Sequence, residues 1–63
     1  MLDYRCYLLD AQGAIRSVEQ IESPTDREAL DTAYRIFTQR PHFRGFELWH
    51  RTRRIHLEHR SAH

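Results

Sequence analysis

The sequence predicts an α+β domain of ββαββ form, in which a four-stranded, mostly antiparallel sheet carries one helix on one face. Two segments of alternating polarity precede an amphipathic helical stretch, two more follow it, and 63 residues suffice for one domain only. A chain of this size buries roughly 60% of the surface that its unfolded form exposes, so a flat binding surface is easier to build than a deep cleft.

The first strand is predicted at residues 2–9, where polarity alternates. Tyrosine and leucine occur on both of its faces, which indicates a central strand covered on part of each side. Asp10 and Gly13 then predict a tight turn. Aspartate suits the first position of a type I turn, and glycine accepts the positive φ that closes it.

The second strand is predicted at residues 14–22. Its apolar residues Ile15, Val18 and Ile21 are spaced by three, whereas a regular strand repeats every two residues. We therefore expect a bulge near Ser17, which would bring the three side chains to one face. The register of this hairpin stays open.

The helix is predicted from about residue 23 to residue 39. Ser23 is the expected N-cap, with Pro24 in the first turn, and Thr25 followed by Glu28 is a competing cap. An apolar stripe with helical spacing would pack on the sheet, and it consists of Ala29, Leu30, Ala33, Tyr34 and Phe37.

The third and fourth strands are predicted at residues 46–50 and 53–58, joined by a turn at Arg51 and Thr52. This turn gives the expected pairs: Phe46 with Leu57, Glu47 with His56, Leu48 with Ile55, and Trp49 with Arg54. The turn chemistry is poor, because neither turn residue favours positive φ.

Several parts of the chain share residues with a known group of proteins. These residues are Tyr4, Arg5, Tyr7, Leu9, Asp10, Gly13 and Ile15, then Asp26, Glu28, Ala29, Leu30 and Ala33, then Phe46, Glu47, Leu48, Trp49, Arg53 and Ile55. Through these residues, which are spread over nearly the whole chain, the sequence resembles small uncharacterised proteins common in alphaproteobacteria. The resemblance implies the fold and no known activity. Those proteins commonly carry glycine where this chain has Arg51.

Charge is distributed unevenly along the chain. Residues 1–39 contain four arginines and seven acidic residues, a net charge of −3, whereas residues 40–63 contain six arginines and two glutamates, a net charge of +4. All five histidines lie in the second part, and there is no lysine. The asymmetry favours an anionic partner or head-to-tail self-association, although a GC-rich genome would also favour arginine codons.

The candidate contact surface consists of Arg40, Arg44, Trp49, Arg51, Arg53 and Arg54. Arginine supplies charge for phosphates and an aromatic ring stacks on bases, which is what binding of single-stranded nucleic acid requires. The alternative is a solvated turn in which Arg54 stacks on Trp49 as a cation–π pair. The sequence pI of 8.0 favours this alternative, since dedicated nucleic-acid binders typically exceed about 9.

No catalytic, cofactor or metal site is expected. Cys6 is the single cysteine, which excludes an internal disulfide, and its place in the alternation of the first strand predicts a core position. His56 and His59 are three residues apart in a strand and would point to opposite faces, which disfavours a metal site. Two glycines are too few for a glycine-rich phosphate loop.

We therefore expect one domain at residues 1–58 and a frayed tail at residues 59–63, in a cytoplasmic protein without a membrane-spanning segment. The expected function is that of a non-enzymatic interaction module that forms a homodimer or docks a protein partner. Binding of single-stranded nucleic acid through the last hairpin is the alternative.

Overall fold

The computed structural model describes residues 1–60 and has the element order ββαββ. Its elements are β1 (Leu2–Leu9), β2 (Ile15–Ser23), α1 (Asp26–Thr38), β3 (Gly45–His50) and β4 (Arg53–His59). The strands form one antiparallel sheet in the order β2-β1-β3-β4. The predicted α+β class, four-stranded sheet and central position of β1 are confirmed.

The hydrophobic core lies between α1 and one face of the sheet. The sheet contributes Tyr4, Cys6, Leu8, Ile21, Phe46 and Leu48, and the helix contributes Ala29, Ala33 and Phe37. Leu30, Tyr34 and Ile36 pack against this core while remaining partly exposed. The apolar stripe predicted on the helix therefore packs on the sheet, and the opposite face of the sheet is left without a covering element from residues 1–60.

The first turn has the predicted chemistry. Asp10 Oδ1 accepts hydrogen bonds from the backbone amides of Gln12 and Ala14, both at 2.9 Å. Gly13 has a φ of 83°, in the left-handed region that glycine adopts without steric cost. These contacts close the hairpin between β1 and β2.

The first hairpin contains a bulge next to the position that the spacing of β2 predicts. Arg16 is the extra residue, one position from Ser17. The expectation that Ile15, Val18 and Ile21 share one face is wrong, however. Ile21 is buried under α1, whereas Val18 is exposed on the opposite face, because residues three apart in a regular stretch of strand alternate sides.

The helix begins at Asp26, whereas the predicted range began at about residue 23. Ser23 was the expected cap. Ser23 is instead the last residue of β2, where it is buried and pairs with Leu2 of β1. Thr25 is the N-cap, and its hydroxyl accepts a hydrogen bond from the amide of Glu28 at 3.2 Å. The competing cap is the one that forms, because the sheet pairing extends through residue 23 before the helix can start.

The predicted register of the second hairpin is wrong beyond the first pairs after the turn. Trp49 pairs with Arg54 as predicted, but Leu48 pairs with His56, so Ile55 forms a bulge. Beyond this bulge, Glu47 pairs with Leu57, Phe46 with Glu58 and Gly45 with His59. The bulge keeps Ile55 against the core and brings two polar residues of β4 to the side of α1, where a tyrosine of the helix bonds them.

Ordered contacts extend beyond residue 58, the expected end of the domain. His59 is the last residue of β4, and the amide of Arg60 donates to the carbonyl of Arg44 at 2.7 Å. The Arg60 guanidinium donates to the carbonyls of Phe37 and Phe43 and lies 4.1 Å from the centre of the Phe37 ring. Arg60 thus ties β4 to the end of α1. The rest of the tail that was expected to fray, residues 61–63, lies outside the described residues.

Candidate interaction surface

The sheet face opposite α1, hereafter the open face, is the candidate interaction surface. Cross-strand pairing arranges its side chains in rows that run from β2 to β4. One row contains Gln20, Arg5, Trp49 and Arg54, and the next contains Val18, Tyr7, Glu47 and Leu57. Glu22 and Asp3 form a pair beyond the first row, at the end of the sheet where the Arg51–Thr52 turn also lies.

The open face carries apolar side chains that no other part of residues 1–60 covers. Ile15, Val18 and Leu57 are 55%, 48% and 37% exposed. Tyr7 and Trp49, which lie on the two central strands, are half-buried by their neighbours. Exposed aliphatic residues around aromatic ones are typical of a contact surface when they share one face.

Trp49 is oriented by the acidic residue next to it on the same face. Its indole Nε1 donates a hydrogen bond to Glu47 Oε1 at 2.8 Å, and Arg54 Nη1 lies 4.0 Å from Glu47 Oε2. Arg54 therefore contacts the carboxylate, and the cation–π pair among the described residues is that of Arg60 with Phe37. Because the indole N–H already has a partner, another group can cover the ring without leaving a donor unsatisfied.

Two grooves meet at Trp49 and Tyr7. The larger, of about 840 Å³, lies at the turn end of the sheet and is bordered by Arg5 and Arg51. The smaller, of about 430 Å³, extends from the two aromatic residues toward Ile15. Within residues 1–60, neither Arg5 nor Arg51 has an ion-pair partner. The grooves therefore combine aromatic surface with charges of both signs, since two acidic residues also border the larger groove.

The six residues predicted as one contact surface lie in three places. Trp49, Arg51 and Arg54 are together at the turn end of the open face. Arg53 lies on the side of α1, where its Nη2 is 3.3 Å from Asp26 Oδ2.

Arg40 and Arg44 lie at the opposite end of the sheet. Arg40 Nη2 is 3.3 Å from Glu19 Oε1, and the Arg44 amide donates to the carbonyl of Leu9 at 2.9 Å. The length of β3, six residues, separates this end from the turn by roughly 17 Å. A compact ligand at the turn therefore contacts at most three of the five predicted arginines.

Arg5 and Tyr7 belong to the open face, although neither is among the six residues predicted as the contact surface. Arg5 pairs with Trp49, and Tyr7 pairs with Glu47, across the boundary between the two hairpins. The alternation in β1 shows that Arg5 and Tyr7 share a face. Their position beside Trp49 depends on the pairing of β1 with β3, for which the sequence contains no local signal.

On the other face, a chain of hydrogen bonds fixes the start of α1. The Tyr4 hydroxyl donates to Asp26 Oδ1 at 2.6 Å, and Arg53 Nη2 donates to Asp26 Oδ2 at 3.3 Å. The bond from Tyr4 and the pair with Arg53 lower the pKa of Asp26 below its ordinary value. Burial, together with the bond to Asp26, raises the pKa of Tyr4 to about 12. These groups are engaged in holding the helix on the sheet.

Tyr34, His56 and Glu58 form a second polar cluster, between α1 and β4. The Tyr34 hydroxyl donates to Glu58 Oε1 at 2.6 Å and lies 3.1 Å from His56 Nε2, which is itself 2.9 Å from Glu58 Oε1. The hydrogen bond from Tyr34, and then the one from His56, lower the pKa of Glu58 below its ordinary value. The hydrogen bond between Tyr34 and Glu58 also raises the pKa of Tyr34. The three side chains satisfy one another, which indicates a structural role.

Cys6 and the histidines form no reactive or metal-binding arrangement within residues 1–60. Cys6 is fully buried in the core, as predicted, and burial raises the pKa of its thiol to about 11. In the described part of the chain, no group of three or more His, Cys, Asp and Glu side chains is placed to hold a metal ion. The same residues contain no helix long and apolar enough to cross a membrane.

Comparisons with known proteins do not assign the surface. No family model, curated protein or solved structure matches the chain. The chemistry of the open face is therefore the basis for a functional proposal.

Proposed function

We propose that this protein is a non-enzymatic interaction module and that a second copy of the chain covers its open face. The observation that carries the proposal is the exposure of Ile15, Val18 and Leu57 around Tyr7 and Trp49 on one continuous face. Covering apolar surface favours association by about 25 cal/mol per Å², from which the cost of association must be subtracted.

A second copy suits this face better than an unrelated protein of one charge, because the face carries both signs. Asp3 and Glu22 are acidic, and Arg5 and Arg51 are basic. In a symmetric dimer each surface meets itself, so a face with both signs can complement itself. The net charge of +1 opposes such pairing only weakly. We further propose a cytoplasmic location, with which the single free thiol is consistent.

Sedimentation equilibrium at about 100 micromolar chain tests the proposal, since a dimer with a standard interface persists at that concentration. We expect a dimer for the wild type and a monomer for Trp49→Ala, because central aromatic residues carry much of the binding energy of an interface. Leu2→Ala is the matched control, as Leu2 is 40% exposed but lies on the α1 side of β1. It should stay dimeric.

Circular dichroism of both variants should retain the helical signal of the wild type. A wild-type protein that sediments as a 7.7 kDa monomer at this concentration would rule out self-association.

A second candidate function is binding of single-stranded nucleic acid. The observation that favours it is the position of Trp49 between Arg5 and Arg54 in one row, with Arg51 at the adjacent turn. Titration of a labelled oligonucleotide at low salt should then show binding that Arg5→Ala and Arg51→Ala weaken, each with a flatter salt dependence. Arg44→Ala, at the other end of the sheet, is the control. Absence of binding by the wild type at low salt excludes this function.

A further inference from the structure

The charges of the open face are divided between its two sides at one end of the sheet. Glu22 on β2 and Asp3 on β1 are paired neighbours at this end. The Arg51–Thr52 turn, which joins β3 to β4, lies at the same end because Arg5 of β1 pairs with Trp49 of β3. One side of this end is therefore acidic and the other side is basic.

A two-fold axis parallel to the strands, running between β1 and β3, would exchange the two sides and keep the rows aligned. The acidic side of one copy then meets the basic side of the other, with Asp3 opposite the second copy's Arg51. Aligned sheets pack at about 30° to each other, and the length of an arginine side chain accommodates this rotation.

The same axis gives favourable neighbours at the centre of the interface. Arg5 lies opposite the second copy's Trp49, whose indole N–H is already bonded to Glu47, so the guanidinium can stack on the ring. Tyr7 lies opposite the second copy's Glu47, to which its hydroxyl can donate a hydrogen bond. Each contact occurs twice in the dimer.

The outer strands contribute the apolar part of the interface. Val18 on β2 occupies the same row as Leu57 on β4, so the axis places Val18 opposite the second copy's Leu57. These two residues are 48% and 37% exposed in the single chain. Burial of these two side chains contributes favourable free energy of association that charge complementarity alone would not supply.

The other two-fold arrangement, with its axis across the strands, is disfavoured by charge. Centred on the row of Val18, it would place Glu47 opposite the second copy's Glu47. Two carboxylates that face each other across an interface repel and cost affinity. The arrangement along the strands has no such conflict.

We propose that the homodimer is a face-to-face sandwich whose two-fold axis runs parallel to the strands between β1 and β3, so that Asp3 of each copy pairs with Arg51 of the other. This inference rests on the proposed self-association and specifies its geometry. It places β2 of each copy over β4 of the other.

Charge reversal at the two paired positions tests this geometry. Asp3→Arg and Arg51→Asp should each weaken the homodimer at least about tenfold, because each puts two like-charge pairs into the interface. Both positions are exposed, and aspartate tolerates the left-handed conformation of residue 51, so the fold should survive. Circular dichroism confirms this for each variant.

An equimolar mixture of the two variants gives the decisive result. The heterodimer restores both opposite-charge pairs, so we expect it to form with an affinity within about threefold of the wild-type homodimer. The double variant Asp3→Arg/Arg51→Asp should likewise dimerise with itself. A wild-type dimer whose variants are not restored by mixing would overturn the geometry and leave self-association intact. A monomeric wild type would overturn both.

A cross-linking experiment separates the two axes independently of charge. With a short bismaleimide, a mixture of Val18→Cys and Leu57→Cys chains should give a cross-linked heterodimer, whereas Val18→Cys alone should not. Cys6 stays unreactive in both because it is fully buried. A covalent dimer of Val18→Cys alone would indicate the axis across the strands and overturn the proposal.

Discussion

Arg51 shows how a single residue can oppose the conformation that its turn requires. It is the first of two turn residues between β3 and β4, and its φ is 58°. A left-handed conformation costs a non-glycine residue roughly 1–2 kcal/mol. The sequence indicates the difficulty, since neither turn residue favours positive φ, but the structure shows that only the first of them adopts it.

Arg51→Gly should therefore stabilise the fold by about 0.5–1 kcal/mol, the relief of strain less the entropy that glycine adds to the unfolded chain. Thr52→Gly is the matched control and should destabilise by a similar amount, because Thr52 has no positive φ to relieve. Urea unfolding at a chain concentration well below that of dimer formation measures both. A lower midpoint for Arg51→Gly than for the wild type would contradict the prediction.

At the scale of the elements, helix content was more predictable than strand register. The stripe of Ala29, Ala33 and Phe37 repeats at helical spacing, and these residues are buried as predicted. Register depends on bulges, and both hairpins contain one, at Arg16 and at Ile55. Their positions follow from contacts with distant elements, such as the bonds from the helix to β4, which the pairing preferences within one hairpin do not contain.

Gly45 illustrates a constraint on two elements that the sequence does not reveal. A Cβ atom at this position would lie 2.5 Å from the carbonyl oxygen of Glu58 on the neighbouring strand. Gly45→Ala should therefore push β4 away from β3 and destabilise the fold by about 1–3 kcal/mol. Hydrogen exchange of the amides of β4 should accelerate more than that of β1 and β2.

Gly13→Ala is the control for this substitution. Its Cβ would meet nothing within 4 Å, but its φ of 83° makes any side chain strained. Gly13→Ala should destabilise the first hairpin. Amide exchange in β4 should then accelerate no more than the loss of global stability accounts for. Equal acceleration in β4 for the two variants would argue against the close approach of β3 and β4 as the cause.

At the scale of the whole molecule, the charge split between the two parts of the chain is visible in the sequence, but its arrangement on the sheet is not. The split of −3 and +4 becomes meaningful once β1 pairs with β3, because this pairing brings Asp3 and Arg51 to the same end of one face. The length of β3 separates Arg40 and Arg44 from the turn residues with which they were predicted to form one surface. Strand order, rather than local pattern, thus decides which charges act together.

The stability of the whole fold should depend on pH at both extremes. Asp10, Asp26 and Glu58 have lowered pKa values, so each contributes stability that is present above its ordinary pKa, 3.8 for aspartate and 4.5 for glutamate, and that is lost as pH falls below it. The pKa values of Cys6 and Tyr4 are raised from 9.0 to about 11 and from 10.0 to about 12. Their contribution is present below pH 9 and is lost as pH rises through these values.

Tyr4→Phe should change both limbs of this profile. It removes the hydrogen bond that is the largest cause of the low pKa of Asp26, so the free energy of unfolding should fall less steeply below pH 4 than in the wild type. It also removes the phenol that resists ionisation above pH 10.

Tyr7→Phe, on the open face and without contact to Asp26, is the control and should keep the wild-type acid limb. Urea midpoints measured from pH 2 to pH 11 at low chain concentration check the prediction. Parallel acid limbs for the wild type and Tyr4→Phe would show that the bond from Tyr4 does not govern the titration of Asp26.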